Sequence, residues 1–336
     1  MSADTAGPVN AGGAAPARVP APEQEATANG PERRPRPSGL RAWVRPILLL
    51  ALAGFAVWAL VANRIEVAAA LRQLSPAALA AALILAFVTN GTAALVWRAL
   101  MADFGHRLPV LAAARIFCVS QLGKYVPGSV WSIVAQIELS REHRIPKRTN
   151  VAVGVLIMAI AATVGLCVGA LLLPFVASSA ADRYWWLLLL IPVFVAALHP
   201  AVLGRALNLA LRLVRREPLP RTPSIPGLAR VVGLQVLVWL LLGLQVWLLL
   251  VGLGAPAWQS LPVAVGGYAT AYSLGMLAVG LPAGAGVREV ALTVMLSAVV
   301  PPATALVVAL LARVLMIVVD LTVAGAFAIP WRRRTS

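Results

Sequence analysis

Five charged side chains lie inside the apolar stretches of this 336-residue sequence, where an unpaired charge is strongly unfavourable. They are Lys124, Arg288, Glu289, Arg313 and Asp320. A charged residue at the centre of a bilayer-spanning helix costs about 2.5–3.5 kcal/mol on insertion scales. Such residues are retained where they pair with one another or face a hydrated cavity, and most of these five are cations. Their types favour a site for an anion, and the natural anion of a membrane is the phosphate of a lipid head group.

The spacing of these charges predicts how they pair. Arg313 and Asp320 are seven residues apart, so on one helix they share a face but lie two turns from each other. Each therefore needs a partner on another segment, and we expect Glu289 and Lys124 to be those partners. Ion pairs that only lock helices together are the structural alternative. The choice of lysine at position 124 favours a binding role. The chain has one other lysine, at position 147, and its remaining cations are arginine, so position 124 suits a compact point charge better than a planar guanidinium.

Two interruptions of the apolar sequence lie beside these charges. The stretch QLGKYVPGSVWS, residues 121–132, contains the helix-breaking pair Pro127 and Gly128. The stretch GLPAGAG, residues 280–286, precedes Arg288. A half-helix that starts after either break points its free N–H groups and the positive end of its dipole into the membrane. Both breaks therefore favour a bound anion.

The predicted binding site collects the side chains around both breaks. The hydroxyl groups of Tyr125, Ser129 and Ser132 either hydrogen-bond the anion or satisfy the loosened backbone. The full set of predicted binding residues is Lys124, Tyr125, Pro127, Gly128, Ser129, Arg288, Glu289, Arg313 and Asp320. The sequence shows no nucleophile–base set, no ATP-binding phosphate loop and no metal-ligand spacing, so it predicts no catalytic residue, cofactor or metal.

Composition predicts the elements that must position this site. Hydrophobic residues make up 60% of the chain and charged residues 12%, whereas a soluble domain carries about 25% charged residues. The net charge of +16 comes from arginines in short segments between apolar runs, as in the cytoplasmic loops of membrane proteins. We therefore predict an all-α polytopic integral membrane protein and no nucleic-acid partner.

Six stretches predict membrane-crossing helices, which need about 20 residues. They are residues 43–62, 77–97, 150–174, 184–199, 228–252 and 303–329. The stretch at residues 184–199 is short but begins with an interfacial aromatic anchor, Tyr184, Trp185 and Trp186. Two further apolar segments, residues 110–137 and 261–300, contain the breaks. Within the second, GYATAYSLG at residues 267–275 is rich in small residues and predicts a helix-packing face.

The distribution of arginine predicts sidedness. The Ala/Pro/Gly-rich residues 1–40 predict a disordered cytoplasmic tail, followed by an arginine cluster at the first span. Basic loops at residues 140–147 and 205–221 also fall inside. Both termini are then cytoplasmic in a multi-pass protein of the inner (cytoplasmic) membrane. The two flanks of each broken segment lie on one side, so each segment enters the membrane and returns.

The chain then divides into two similar halves. Within a transmembrane domain at residues 41–334, residues 41–176 and 183–330 share the order span, span, broken segment, span. Three crossings per half invert the second half relative to the first, a pattern of secondary transporters that bind substrate where the broken helices meet. The alternative is eight crossings, in which residues 261–281 cross fully and residues 287–300 return.

The sequence resembles a known family. The motif GKYVPGSVW followed by a basic loop, PAGAGVREVAL late in the chain and an arginine in the last helix are similar to the lysylphosphatidylglycerol synthase transmembrane region, or flippase-like family. The resemblance covers roughly residues 41–334. That family includes the membrane half of multiple peptide resistance factor, a protein that carries a soluble aminoacyl-transferase domain after its membrane half. Because this chain ends at Ser336 directly after a helix, we expect no synthesis of aminoacylated lipid.

Three function classes follow. The first is a flippase, not driven by ATP, that moves an anionic phospholipid, an amino-modified lipid or a polyprenyl-phosphate-linked lipid. The second is a non-catalytic membrane subunit of a separate glycosyltransferase or lipid synthase, which would then be a protein partner. The third is an integral-membrane enzyme acting on lipid phosphate, which the lack of a catalytic set disfavours. The expected ligand of the leading class is a lipid head group.

Overall fold

The computed structural model describes residues 64–125, 131–172, 188–213, 222–277, 284 and 286–328. Regular structure within these residues is helical, with no strand, which confirms the all-α prediction. The predicted tail at residues 1–40 and the predicted span at residues 43–62 lie outside the described residues. So do three of the predicted binding residues, Pro127, Gly128 and Ser129.

The helices follow the predicted order of spans and broken segments. In the first part of the chain, α1 spans Arg64–Gln73, α2 spans Pro76–Asp103, α3 spans Val110–Gln121, α4 spans Trp131–Leu139 and α5 spans Lys147–Leu172. Two short connecting helices, α6 at Leu190–Ala197 and α7 at Pro200–Leu213, come next. The second part contains α8 at Ile225–Gly252, α9 at Ala257–Leu277, α10 at Val287–Leu296 and α11 at Pro302–Ala328.

Helices α2, α5, α8 and α11 are each long and apolar enough to cross a membrane, with mean hydropathies of 2.0, 2.7, 2.3 and 2.5. At about 1.5 Å per residue they extend beyond the roughly 30 Å hydrocarbon core. They correspond to four of the six predicted spans. A fifth, at residues 184–199, is described only from residue 188 and contains α6. The protein is therefore a multi-pass membrane protein, and the number of crossings stays a prediction.

One connection differs from its predicted form. The segment beginning at residue 205 was expected to be a basic loop, but α7 extends through it as far as Leu213. The sequence PAVLGRALNLALRL explains the difference, because leucine, alanine and arginine are strong helix formers and proline suits the first helical position.

Each broken segment is a pair of helices packed against each other. In the first, α3 continues into a 3₁₀ turn at Leu122–Tyr125, and α4 packs back on α3. In the second, α10 packs back on α9. Helices α3, α4 and α10 have 12, 9 and 10 residues, or about 14–18 Å each, which is too short to cross alone. Helix α9, with 21 residues, is about 32 Å long and reaches the length of a full crossing.

The packing of the two halves repeats. Helix α2 packs against α8, its counterpart in the second half. Helix α5 packs against α9, and its counterpart α11 packs against α3. Five further pairs have counterparts in the same way. The pair α2–α3 corresponds to α8–α9, α3–α4 to α9–α10, and α4–α5 to α10–α11. The pair α2–α5 corresponds to α8–α11, and α2–α11 corresponds to α8–α5. The principal packed pairs among these eight helices are therefore unchanged when the halves are exchanged, while the inverted orientation of the second half stays a prediction.

A carboxylate joins the central pair of helices, α2 and α8. Asp103, the last residue of α2, accepts hydrogen bonds from the backbone N–H of Ser224 at 2.8 Å and from its hydroxyl at 2.5 Å. Ser224 is the N-cap of α8 and accepts from the N–H of Gly227 at 3.1 Å. A negative charge beside a helix N-terminus is favourable, so this contact fixes the start of α8 against the end of α2.

Candidate functional site

The two broken segments meet at one cavity of about 250 Å³. The first segment contributes Lys124, Tyr125 and Ser132 to the cavity wall, and the second contributes Gly284 and Arg288. Helices α2, α5, α8 and α11 supply the remaining walls. Described residues of both breaks therefore line one cavity, and its role as a binding site stays a prediction.

A glycine allows close backbone contact at each break. A Cβ atom at Gly123 would lie 2.6 Å from the backbone carbonyl carbon of Trp131, so only glycine lets the 3₁₀ turn approach the start of α4. At the second break, Gly284 has a φ of +66°, and a Cβ there would lie 2.8 Å from the carbonyl oxygen of Gly275. The left-handed conformation and the close approach both require glycine. The backbone geometry at the cavity is thus set by two residues without side chains.

Asp320 of α11 forms the first predicted ion pair. Its Oδ2 lies 2.6 Å from Lys124 Nζ and accepts a 2.5 Å hydrogen bond from the Tyr125 hydroxyl. Its Oδ1 accepts from Asn90 Nδ2 at 2.9 Å, and Asn90 Oδ1 accepts from the Cys118 thiol at 3.0 Å. The carboxylate therefore joins α2, α3, the 3₁₀ turn and α11 in one buried network, and the predicted pairing with Lys124 is present.

Arg313 and Glu289 form the second predicted ion pair, between Arg313 Nη1 and Glu289 Oε1. Glu289 Oε2 also accepts a 2.7 Å hydrogen bond from the N–H of Gly286, the N-cap of α10. Arg313 is 8% exposed and lines the cavity, and its buried Nη2 has no hydrogen-bond partner among the described residues. Glu289 is not one of the described residues that line the cavity, and its contact with the site is through Arg313.

Arg288 is held by aromatic rings. Its guanidinium carbon lies 4.9 Å from the ring centroid of Tyr268 and 4.6 Å from that of Tyr272, and its Nη2 donates to the Tyr268 hydroxyl. Tyr272 in turn packs edge-on against Trp239, with ring centroids 5.2 Å apart. Stacking on aromatic faces orients a guanidinium without neutralising it. No carboxylate of the described residues forms a salt bridge with Arg288.

The cavity therefore carries excess positive charge. Within the described residues, Asp320 balances Lys124 and Glu289 balances Arg313, which leaves the charge of Arg288 unbalanced. The other walls are largely apolar and aromatic with a few amides; one of these, Gln136, accepts from Trp97 Nε1 at 3.1 Å. A mostly apolar pocket with a few convergent polar groups is typical of a small-molecule site, and the charge here selects an anion.

Sequence reasoning missed three side chains of this site: Asn90, Tyr268 and Tyr272. Asn90 is a polar residue inside an apolar span, which is a signal that could have been used. The two tyrosines are four residues apart and therefore share a helix face. The stretch GYATAYSLG was predicted to be a packing face; its Gly267 does pack against α10, at Met295, but Tyr272 and Gly275 line the cavity.

The fold and the site define a class: a multi-pass helical membrane protein with a buried, cationic cavity between two broken helical segments. The family model described as the lysylphosphatidylglycerol synthase TM region matches residues 46–324. The chain therefore belongs to that family, as the sequence motifs predicted, and the family relates it to membrane lipids. A search of curated protein sequences found no significant match to the chain.

Proposed function

We propose that this protein carries lipids with an anionic phosphate head group across the cytoplasmic membrane, as a flippase that uses no ATP and makes no covalent change. The observation that carries this proposal is the buried Nη2 of Arg313, which belongs to a cavity-lining side chain and has no acceptor within the described part of the chain. A buried donor without a partner is costly, and a phosphate oxygen supplies the missing acceptor.

The chemistry of the wall suits a phosphate ester. Arg288 and Arg313 present guanidinium groups, which match the geometry of phosphate oxygens and bind them through two parallel hydrogen bonds. Arg288 lies in the first turn of α10, so the positive end of that helix dipole is near the same wall. Phospholipids, amino-modified lipids and polyprenyl-phosphate-linked lipids share this phosphate, so we assign the shared group as the determinant of binding.

Transport is favoured over catalysis by the arrangement of the halves. Two broken segments in corresponding positions of repeated halves, meeting at a common site, are the architecture of secondary transporters. The cavity wall contains charged, amide and aromatic groups, and its polar contacts hold these side chains in place. Binding and movement of a head group require only such contacts.

The test is lipid movement in proteoliposomes of phosphatidylcholine and phosphatidylglycerol that contain the full chain. Two labelled probes are compared: phosphatidylglycerol, which carries the phosphate, and glucosylceramide, which has a polar head group without phosphate. Dithionite bleaches the outer leaflet only, so the slow phase of bleaching reports movement between leaflets. We expect the protein to accelerate movement of phosphatidylglycerol and to leave glucosylceramide unchanged.

Two variants connect this activity to the cavity. Arg288→Gln removes a charge-assisted hydrogen bond of about 1.5–3 kcal/mol, so the rate is expected to fall roughly 10- to 150-fold. Arg141→Gln is the matched control, because it removes an arginine charge whose side chain is 59% exposed and paired with exposed Glu138. Equal acceleration of both probes, or equal rates for Arg288→Gln and Arg141→Gln, would contradict the proposal.

A further inference from the structure

We infer that binding of the anionic head group is coupled to uptake of one proton by Asp320, because Lys124 exchanges the carboxylate for the phosphate. This inference rests on the proposed function and adds its energy source: a proton moves with each lipid. The geometry that points to it is the pairing, at the cavity wall, of the partly exposed Lys124 ammonium with the Asp320 carboxylate, which has no exposed surface.

The two partners of this ion pair differ in access. Both residues line the cavity, but the side chain of Lys124 is 25% exposed and that of Asp320 is 0% exposed. An anion that enters the cavity meets the guanidinium groups of Arg288 and Arg313 and the ammonium of Lys124. Both arginines can bind it as they stand. Lys124 carries a single positive charge, so a phosphate that pairs with this charge competes with Asp320 for it.

Among the residues that the structure describes, Asp320 has no second cation to replace Lys124. Helix α2 offers it the amide of Asn90, and the 3₁₀ turn offers the Tyr125 hydroxyl, both of them neutral donors. From α3, the Cys118 thiol reaches Asp320 only through Asn90.

The other cations near Asp320 are already bound elsewhere. Arg313, two turns away on the same helix, is paired with Glu289 of α10, and Arg288 of α10 is bound to Tyr268. Arg72 of α1 and Arg230 of α8 are exposed residues.

A carboxylate left in this position must be neutralised. An ionised carboxylate buried without a counter-charge is so unfavourable that the group binds a proton instead. The hydrogen bonds around Asp320 allow this. The Tyr125 hydroxyl can rotate to accept from a protonated Oδ2, while Asn90 Nδ2 continues to donate to Oδ1. The proton is therefore accommodated without movement of the surrounding side chains.

The charges balance in this exchange. Before binding, the Lys124 ammonium is paired with the Asp320 carboxylate. After binding, the ammonium is paired with the phosphodiester, and the carboxyl group is neutral with one proton taken from the adjoining water. One negative charge and one proton enter the cavity together, so the loaded and empty sites have the same net charge. A pH difference across the membrane, and not the membrane potential, would therefore drive movement of the lipid.

The experiment measures protons per bound lipid. The full chain in detergent is titrated with short-chain dihexanoylphosphatidylglycerol by calorimetry in buffers of different ionisation enthalpy. We expect uptake of about one proton per lipid, and an affinity that weakens about tenfold for each unit rise in pH, since linkage equates this slope with the number of protons bound. Asp320→Asn replaces the carboxyl by a neutral amide of the same shape, and its affinity is expected to be independent of pH.

The outcomes separate this inference from the proposed function. If the wild type binds the lipid without proton uptake, then Lys124 bridges carboxylate and phosphate together, and the coupling is refuted. A pH slope of one that persists in Asp320→Asn also refutes it, because the proton then binds elsewhere. Glu138→Gln, which removes an exposed carboxylate, is the control and should keep the wild-type slope. Failure of the wild type to bind this lipid at any pH refutes the proposed function itself.

Discussion

Replacing Glu289 with glutamine is expected to destabilise the protein more than any other single neutralisation in the cavity region. The change leaves the guanidinium of Arg313, which is 8% exposed, without its counter-charge. Arginine cannot release its proton to escape this situation. Removal of one partner from a buried ion pair costs about 3–5 kcal/mol, which corresponds to a fall in melting temperature on the order of 10 °C.

Lys124→Gln provides the internal comparison for this prediction. It leaves Asp320 without its cation, but the carboxylate can bind a proton and keeps its hydrogen bonds to Tyr125 and Asn90. The loss of stability should therefore be smaller and should diminish at lower pH. Arginine and aspartate differ here because only aspartate can become neutral at an accessible pH.

The assay is thermal unfolding in detergent. The measured quantity is the fraction of protein that remains monodisperse after heating to each temperature. The double variant Glu289→Gln with Arg313→Gln should be more stable than Glu289→Gln alone, since it removes the unpaired charge together with its partner. If instead the two single effects add in the double variant, the side chains are not energetically coupled. The interpretation of this ion pair would then be refuted.

Two further predictions concern the backbone framework. Asp103→Ala removes both hydrogen bonds to Ser224 at the start of α8 and should lower stability by about 1–2 kcal/mol, measured by the same thermal assay; an unchanged melting temperature would show that this contact contributes nothing. Gly123→Ala should abolish lipid movement in proteoliposomes because its Cβ would overlap the backbone of α4, whereas Gly91→Ala, which has open space around its Cβ, should move lipid at the wild-type rate. Equal rates for the two glycine variants would contradict the close approach at Gly123.

The sequence predicts the charge pairs well because charges are rare in it. With so few charged residues inside apolar segments, Arg313 had only Glu289 as an acidic partner on another segment, and Asp320 had only Lys124 and Arg288 as basic ones. The same scarcity makes the helix breaks visible, since Pro and Gly interrupt runs that are otherwise uniform. Hydropathy thus predicts the four long helices and the position of both broken segments.

Neutral polar residues were harder to predict, because most of them need no distant partner. The hydroxyls of Thr89 and Thr92 donate to backbone carbonyls four residues earlier, at 2.7 and 2.8 Å, as hydroxyls in apolar helices commonly do. Asn90, between them, instead reaches Asp320 on α11, 230 positions away. The sequence does not distinguish these two behaviours. The tyrosines around Arg288 were missed for a similar reason, since aromatic residues are ordinary components of a helical core.

The repeated packing of the two halves has a consequence for the energies of different conformations. Any shift of α9 against α5 has a counterpart in a shift of α3 against α11, because both contacts exist and belong to corresponding helices. One conformation can have α9 shifted against α5, and a second can have α3 shifted against α11. These two conformations would make similar sets of contacts, so we expect them to differ little in free energy. The buried charges do not repeat: among the described residues, the two buried carboxylates with a salt bridge, Glu289 and Asp320, both belong to the second half. Their state of pairing is then sufficient to change which conformation is more populated.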